Sequence, residues 1–188
     1  MKALWSSRHA ATARLAAYLA LLVVAFGAGF VSALAEYPRG EFARTWAKIA
    51  DERGANAWGH VRELSDDTSR LIVRPNNDTL YSYAAVDLAE GPQMIEVPAS
   101  DRYWSVEFMR DNTDVFAYVG SRGLGLGRPA RVLLAPASFS ADSQGLEVIR
   151  APSARVWLLA RFLVDGSDDL PRVHQLQGGL RISRWKGG

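Results

Sequence analysis

A run of 21 uncharged residues, Leu15–Ala35, constrains the fold of this chain more than any other feature. As an α-helix with a rise of about 1.5 Å per residue, it matches a hydrocarbon core about 30 Å thick. Arg8 and Arg14 precede the run and Glu36 follows it. Because positive charge favours the cytoplasmic side, we predict a membrane helix with the N-terminus inside and the following domain outside.

The uncharged run has two interpretations, an uncleaved membrane anchor and a secretory signal peptide. Ala33-Leu34-Ala35 fits the small-x-small pattern of a cleavage site, after which a mature chain would begin at Glu36. The apolar region of a signal peptide usually spans about 7–15 residues, and this run is longer. Its length favours the anchor, which would hold the domain at the membrane through Leu15–Ala35.

The net charge of +2 misrepresents the domain, because three basic residues precede the uncharged run. Without Lys2, Arg8 and Arg14, the 22 basic residues become 19 against 20 acidic ones, which is a net charge of −1. A nucleic-acid-binding surface carries clustered Lys and Arg among aromatic residues, and the sequence has no such cluster, so we predict no nucleic-acid partner. The chain has no cysteine, which excludes disulfides and thiolate metal sites.

The remainder of the chain is predicted to form a helix followed by a β domain. The predicted segments are a basic cytoplasmic N-terminus at 1–14, the transmembrane or signal helix at 15–35, an amphipathic helix at 36–55 and the β domain at 56–188. Phe42, Trp46 and Ile49 recur at helical spacing. We therefore expect the amphipathic helix to bury this stripe on the domain.

Short apolar or alternating segments recur about every ten residues from Leu71 onward, separated by Gly, Pro and Asp. They cover residues 71–73, 80–88, 94–97, 103–109, 115–119, 131–135, 146–149 and 156–163. In the clearest of them, Trp104, Val106 and Phe108 share one face. This pattern, without long helices between the strands, predicts a mainly β fold, an antiparallel β-sandwich with peripheral helices.

The stretch from Arg74 to Tyr81, here called the polar turn, is the most informative part of the domain. Its residues are Arg74, Pro75, Asn76, Asn77, Asp78, Thr79, Leu80 and Tyr81. One interpretation is a rigid turn, because Asn and Asp side chains bond back to nearby main-chain groups. The other is a polar site, with Asp78 as base or ligand, Asn76 and Asn77 as orienting amides and Tyr81 as a hydroxyl donor. Turn chemistry alone favours the first interpretation.

Few other residues qualify for catalysis or metal binding. His60 and His174 lie too far apart to make a metal motif, and His60 is the better catalytic candidate because it precedes the polar turn. Glu107 lies inside a strand, opposite the apolar face. If that face is covered, Glu107 needs a cationic partner, such as Arg150 or Arg161. We predict no metal and no cofactor.

The chain resembles a family of bacterial proteins known only as domain-of-unknown-function family 1254. The resemblance rests on ordered blocks over about residues 56–177, namely the polar turn, Asp87-Leu88, Pro92, Val97-Pro98, Arg102-Tyr103-Trp104, Gly120-Ser121-Arg122, Arg150-Ala151-Pro152, Val156 to Arg161, Asp168-Asp169-Leu170 and Gln175-Leu176-Gln177. It implies an immunoglobulin-like β-sandwich. Longer members of the family continue into a second, jelly-roll-like domain of family 1214. The resemblance therefore predicts a short form that lacks the second domain, and implies a separate partner chain.

The resemblance also adds weight to the polar turn as a site, because this stretch identifies the family. We expect a membrane-anchored binding or accessory module that works with a partner chain on the periplasmic face of a bacterial inner membrane. Cleavage after Ala35 would instead release it into the periplasm. The alternative is an envelope hydrolase with Asp78, His60 and Tyr81 as catalytic candidates. The expected binding residues are Arg74, Asn76, Asn77, Asp78, Thr79, Tyr81, Glu107 and Arg161.

Overall fold

The computed structural model describes residues 2–65 and 76–187, with side chains described from residue 11 onward. The chain forms two units, Met1–Gly40 and Glu41–Gly188. The helices are α1 (Lys2–Arg53), α2 (Ser121–Leu124) and α3 (Leu170–Gly178), with a 3₁₀ turn at Ser167–Asp169 before α3. The strands are β1 (Trp58–His60), β2 (Thr79–Asp87), β3 (Gln93–Val97), β4 (Trp104–Met109), β5 (Val115–Gly120), β6 (Ala130–Pro136), β7 (Glu147–Ala151), β8 (Arg155–Leu163) and β9 (Arg181–Arg184). The predicted strand 71–73 lies outside the described residues.

The N-terminal unit is helical, and α1 contains the whole uncharged run before it continues through Pro38. Every side chain from Ala11 to Tyr37 is exposed. Within the described residues, α1 is the one helix long and apolar enough to cross a membrane, and none of its most apolar stretch is buried. A core helix of a soluble domain would be mostly buried, whereas a signal sequence near the N-terminus can be long and apolar enough to meet the same criteria.

The last turns of α1 belong to the second unit and pack on its β domain. Phe42, Trp46 and Ile49 are buried against Ala85, with Tyr83 and Trp157 at the margin. The predicted apolar stripe is therefore the stripe that the helix buries. The indole of Trp46 also donates to the carbonyl of Val86 at 3.4 Å, and the guanidinium of Arg155 lies 4.6 Å from the centre of its ring.

The β domain consists of two sheets with a shared core. One sheet has the order β1-β2-β8-β4-β5 and is antiparallel throughout. The other has the order β7-β6-β3-β9, in which β6 and β7 run parallel. The core between the sheets includes Leu80, Ile95, Trp104, Val106, Phe108, Val132, Leu134, Leu158 and Phe162. The predicted mainly β class is confirmed, while the immunoglobulin-like build stays a prediction.

Three features of the sheets differ from the sequence prediction. β6 and β7 are parallel because the connection at 137–146 crosses over and does not turn back as a hairpin. Neither β1 nor β9 was among the predicted strands. Strands of three and four residues contain too few alternations to be recognised from periodicity.

Candidate functional site

Four strands of the five-stranded sheet bring small and polar side chains into one row. The register pairs Tyr81 with Arg161, Arg161 with Ser105, and Ser105 with Gly120. Successive residues of a strand face opposite sides of a sheet, so this row lies on the face opposite the buried Leu80, Phe162 and Trp104. We call this the outer face. Tyr81 and Arg161, two of the predicted binding residues, are thus neighbours on it.

A concave site of about 570 Å³ lies at the β4–β5 end of the outer face. We call it the outer-face groove and define it by Tyr103, Ser105, Glu107, Tyr118, Gly120 and Arg122. Its floor is low because Ser105 and Gly120, which pair across the two strands, are both small. A Cβ atom on Gly120 would lie 2.6 Å from the carbonyl oxygen of Trp104, so the close approach of the two strands requires glycine here.

Glu107 and Arg161 form an ion pair on the outer face, so the cationic partner expected for Glu107 is Arg161 and not Arg150. The side chain of Glu107 is 12% exposed and that of Arg161 is 30% exposed. Burial disfavours the charge on Arg161, but its hydrogen bond to Glu107, the charge of Glu107 and the nearby Tyr81 together outweigh burial and raise the pKa of Arg161. The Arg161 guanidinium also lies 5.8 Å from the centre of the Tyr81 ring. The Arg161 guanidinium therefore contacts both the Glu107 carboxylate and the Tyr81 ring.

Arg122 brings a second cation to the groove. It follows β5 at the start of α2, is exposed, and lies with its guanidinium 5.3 Å from the centre of the Tyr103 ring. Within residues 11–65 and 76–187, no carboxylate pairs with it. The Tyr103 hydroxyl donates to the Ser105 hydroxyl oxygen at 3.3 Å. Tyr118, which is 64% exposed, stands opposite Glu107 in the register.

The described part of the polar turn bonds to itself. The Asn76 amide donates to Thr79 Oγ1 at 3.2 Å, and the Thr79 hydroxyl donates to Asp78 Oδ1 at 2.7 Å. The backbone N–H of Asp78 donates to Asn76 Oδ1 at 3.2 Å, and Asn77 is exposed. This is the bonding pattern of a turn. Arg74, another predicted binding residue, lies outside the described residues.

Asp78 lines a second cavity, of about 760 Å³, here called the acidic cavity. The charged residues around it are Asp78, Asp101, Arg102, Asp165, Asp169 and Arg172. Arg102 and Asp169 form an ion pair there, and the hydrogen bond from Arg102 holds the pKa of Asp169 below its usual range. Tyr103 lines both the acidic cavity and the outer-face groove. Asp78 and Glu107 thus line separate cavities.

The structure does not bring the proposed catalytic residues Asp78 and His60 together. His60 Nδ1 lies 2.9 Å from the hydroxyl oxygen of Ser82, its cross-strand neighbour. Asp78 precedes Ser82 by four residues, which is about 13 Å at the rise of a β-strand. Burial, and then the charges of Arg62 and Arg53, lower the pKa of His60 to about 4, which makes it a weak base at neutral pH.

The residues that sequence reasoning missed are Tyr103, Ser105, Tyr118, Gly120 and Arg122. The alternation of segment 103–109 places Tyr103 and Ser105 on the same face as Glu107, so that part of the groove was detectable. Tyr118, Gly120 and Arg122 join the groove only through the pairing of β5 with β4. The short connection 110–114 favours a hairpin of β4 and β5, but it does not give their register, which shifts between Phe108 and Met109.

We expect Glu107→Gln to lower the free energy of unfolding by about 2 kcal/mol. Breaking a buried ion pair costs about 3–5 kcal/mol and a surface pair at most about 1, and this pair is partly buried. The matched control is Glu96→Gln. Glu96 also pairs across strands with an arginine, Arg131, but both side chains are at least 36% exposed. Urea unfolding followed by tryptophan fluorescence measures both variants, and equal losses would contradict the prediction.

Comparison with known proteins places the domain in a family and confirms the resemblance found in the sequence. The model of the family described as Protein of unknown function (DUF1254) matches residues 55–184. No curated protein matches the chain.

The similar solved structures include the following two. The VPA0106 protein from Vibrio parahaemolyticus is 21% identical, with a TM-score of 0.64 over 79% of this chain and 35% of that one. A putative uncharacterised protein from Burkholderia cenocepacia is 18% identical, with a TM-score of 0.48 over 80% of this chain and 41% of that one. The chain spans about a third of the length of the Vibrio protein, and that likeness shows the fold alone.

Proposed function

Because this chain belongs to the DUF1254 family of proteins of unknown function, we propose its function from the site: the domain is a binding module whose outer-face groove takes a small ligand. The observation that carries the proposal is the groove itself. It is a concavity of about 570 Å³ with tyrosine walls, a low floor and a cation above one ring. Ligand sites combine such concave, aromatic walls with a few well-placed polar groups.

The groove supports binding better than catalysis. Nucleophilic catalysis needs a nucleophile and a base within hydrogen-bond reach of each other. The hydroxyl of Ser105 receives a hydrogen bond from Tyr103, and Glu107 is held by Arg161. Among the described residues, no base contacts Ser105. The hydrolase alternative also rests on Asp78 and His60. His60 contacts Ser82, and about 13 Å of strand separates Ser82 from Asp78. We therefore propose a binding role.

We propose further that α1 anchors the module in a membrane and that the domain lies outside the cytoplasm, on the periplasmic face of a bacterial inner membrane. The support is the exposed apolar helix, with Arg8 and Arg14 before the run and Glu36 after it. A chain cleaved after Ala35 would have the same domain in the periplasm without a tether.

The separate partner chain expected from the sequence remains a proposal. β5 is an edge strand of the five-stranded sheet and contains no charged residue from Val115 to Gly120. An edge strand leaves backbone donors and acceptors open for a strand of another chain. We propose this edge as the place where a partner would pair.

A fragment screen of the full chain in dodecyl maltoside micelles tests the binding role. Saturation-transfer NMR would compare neutral, anionic and cationic fragments on the parent chain and on Tyr118→Ala. Stacking on a tyrosine ring is worth about 1 kcal/mol, so groove ligands are expected to lose about fivefold in affinity. The control is Tyr37→Ala, because Tyr37 is 66% exposed and Tyr118 64%. If no fragment distinguishes Tyr118→Ala from Tyr37→Ala, the groove is not a binding site.

A further inference from the structure

We propose that the ligand of the outer-face groove is a small organic anion. Its acid group would bind Arg122, and its planar, apolar body would lie between Tyr103 and Tyr118. This inference rests on the proposed function and deepens it, because it names the chemical class that the groove selects.

Among the charged residues that line or adjoin the groove, the positive charge of Arg122 is not balanced by a described carboxylate. Glu107 and Arg161 neutralise each other across β4 and β8. Arg122 has no carboxylate partner within residues 11–65 and 76–187. An anionic group therefore gains an attraction to Arg122 in the groove that none of the described carboxylates already satisfies. A cationic ligand would have to compete with Arg161 for Glu107.

The neighbouring acidic cavity has an excess of negative charge, with four aspartates and two arginines in its lining. Arg102 pairs there with Asp169, and Arg172 pairs with Asp101 at 2.5 Å. Asp78 and Asp165 line the same cavity without an arginine partner among the described residues. Since Tyr103 lines both cavities, an anion near this ring is repelled on the acidic side and attracted on the side of Arg122. The two cavities thus favour ligands of opposite charge.

The position of Arg122 suits a carboxylate. A guanidinium over an aromatic face keeps the N–H donors at its edge free, and these match the two oxygens of a carboxylate. Its distance of 5.3 Å from the centre of the Tyr103 ring is within the range of cation–π contact. The acid group would therefore bind beside the Tyr103 ring, and a planar body attached to it would follow the ring surface.

The opposite wall of the groove is open. Tyr118 is 64% exposed, and its ring contacts no other aromatic ring among the described residues. The low floor of Ser105 and Gly120 separates it from Tyr103 and leaves room for a flat group. A volume of about 570 Å³ is within the range of small-molecule sites, roughly 300–1,000 Å³.

Titration of the full chain in dodecyl maltoside with benzoate, benzyl alcohol and benzylamine tests the class of ligand. The three probes share one ring and differ in charge. We expect benzoate to bind at least tenfold more tightly than the other two, the difference that a charge-assisted hydrogen bond makes. Arg122→Gln is expected to reduce benzoate affinity about tenfold, to the level of benzyl alcohol. Arg128→Gln, which removes an exposed arginine outside the groove lining, is the control and should change nothing.

Each contrary result has a distinct meaning. Equal binding of the three probes, no binding of benzoate at millimolar concentration, or an unchanged affinity in Arg122→Gln would overturn the anion proposal. If Tyr118→Ala still weakens benzyl alcohol, the groove remains a binding site of another class. If neither Tyr118→Ala nor Arg122→Gln affects any probe, the proposed function fails as well.

Discussion

Replacing Leu22 and Val23 together with arginine is expected to move the chain from the membrane fraction to the soluble fraction. Both residues lie in the middle of the uncharged run and are exposed in α1. At the centre of a membrane helix, an apolar residue contributes about −0.3 to −0.6 kcal/mol to insertion and an arginine costs about 2.5–3.5. The two substitutions therefore disfavour insertion by about 7 kcal/mol. Flotation on a sucrose gradient after carbonate extraction separates inserted protein from soluble and aggregated protein.

The control for this experiment is the double replacement of Leu22 and Val23 with alanine, which keeps the run uncharged and should keep the chain in the membrane fraction. N-terminal sequencing of the parent protein separates the anchor from the signal peptide. We expect the intact N-terminus. A mature chain that begins at Glu36 would identify Ala33-Leu34-Ala35 as a cleavage site and would contradict the anchor.

Replacing Gln177 with leucine is expected to lower the free energy of unfolding by about 3 kcal/mol. Gln177 is fully buried in α3, and its amide N–H₂ lies within hydrogen-bond distance of three acceptors. These are the carbonyl oxygens of Val61 and Tyr81, both at 3.0 Å, and the hydroxyl oxygen of Ser82 at 3.2 Å. Its own carbonyl oxygen accepts from Arg62 at 3.2 Å. Leucine has a similar volume but removes these hydrogen bonds, each worth about 0.5–1.5 kcal/mol. The Tyr81 carbonyl oxygen, Ser82 Oγ and the Arg62 guanidinium keep other partners, namely the Val61 N–H, the His60 ring and the His174 carbonyl oxygen.

Gln175→Leu is the matched control, because Gln175 lies in the same helix and is exposed. We expect a change within about 0.5 kcal/mol for this variant. Urea unfolding measures both variants. Similar values for Gln175→Leu and Gln177→Leu would show that the hydrogen bonds of Gln177 add nothing beyond the packing of its side chain.

The parts of the fold predicted correctly from sequence are those with a local physical cause. The stripe of Phe42, Trp46 and Ile49 is buried because helical periodicity places the three on one side, whatever they pack against. The strand with Trp104 buries its apolar face because side chains alternate. Glu107 pairs with Arg161 because a charge on a covered face needs a partner.

The parts that were missed depend on pairing between distant segments. Gln177 was quoted only within the family pattern, and its burial depends on β1 and β2 lying beneath α3. The polar turn attracted attention as a site because of its residue types. Yet its described side chains mostly bond to each other, while the groove lies on β4 and β5. Composition cannot distinguish a turn from a site when both use Asn, Asp and Thr.

By itself, the sequence determined the apolar helix of Leu15–Ala35, the mainly β class and the face on which Glu107 lies. Each follows from the rise of a helix or the period of a strand, which are properties of the local chain. Only the tertiary structure decided that Arg161 and not Arg150 reaches Glu107, and that Gly120 lies opposite Ser105 to form the floor of a groove. The period of a strand gives the face of a residue but not its neighbour, because the register between strands is set by packing across the whole core.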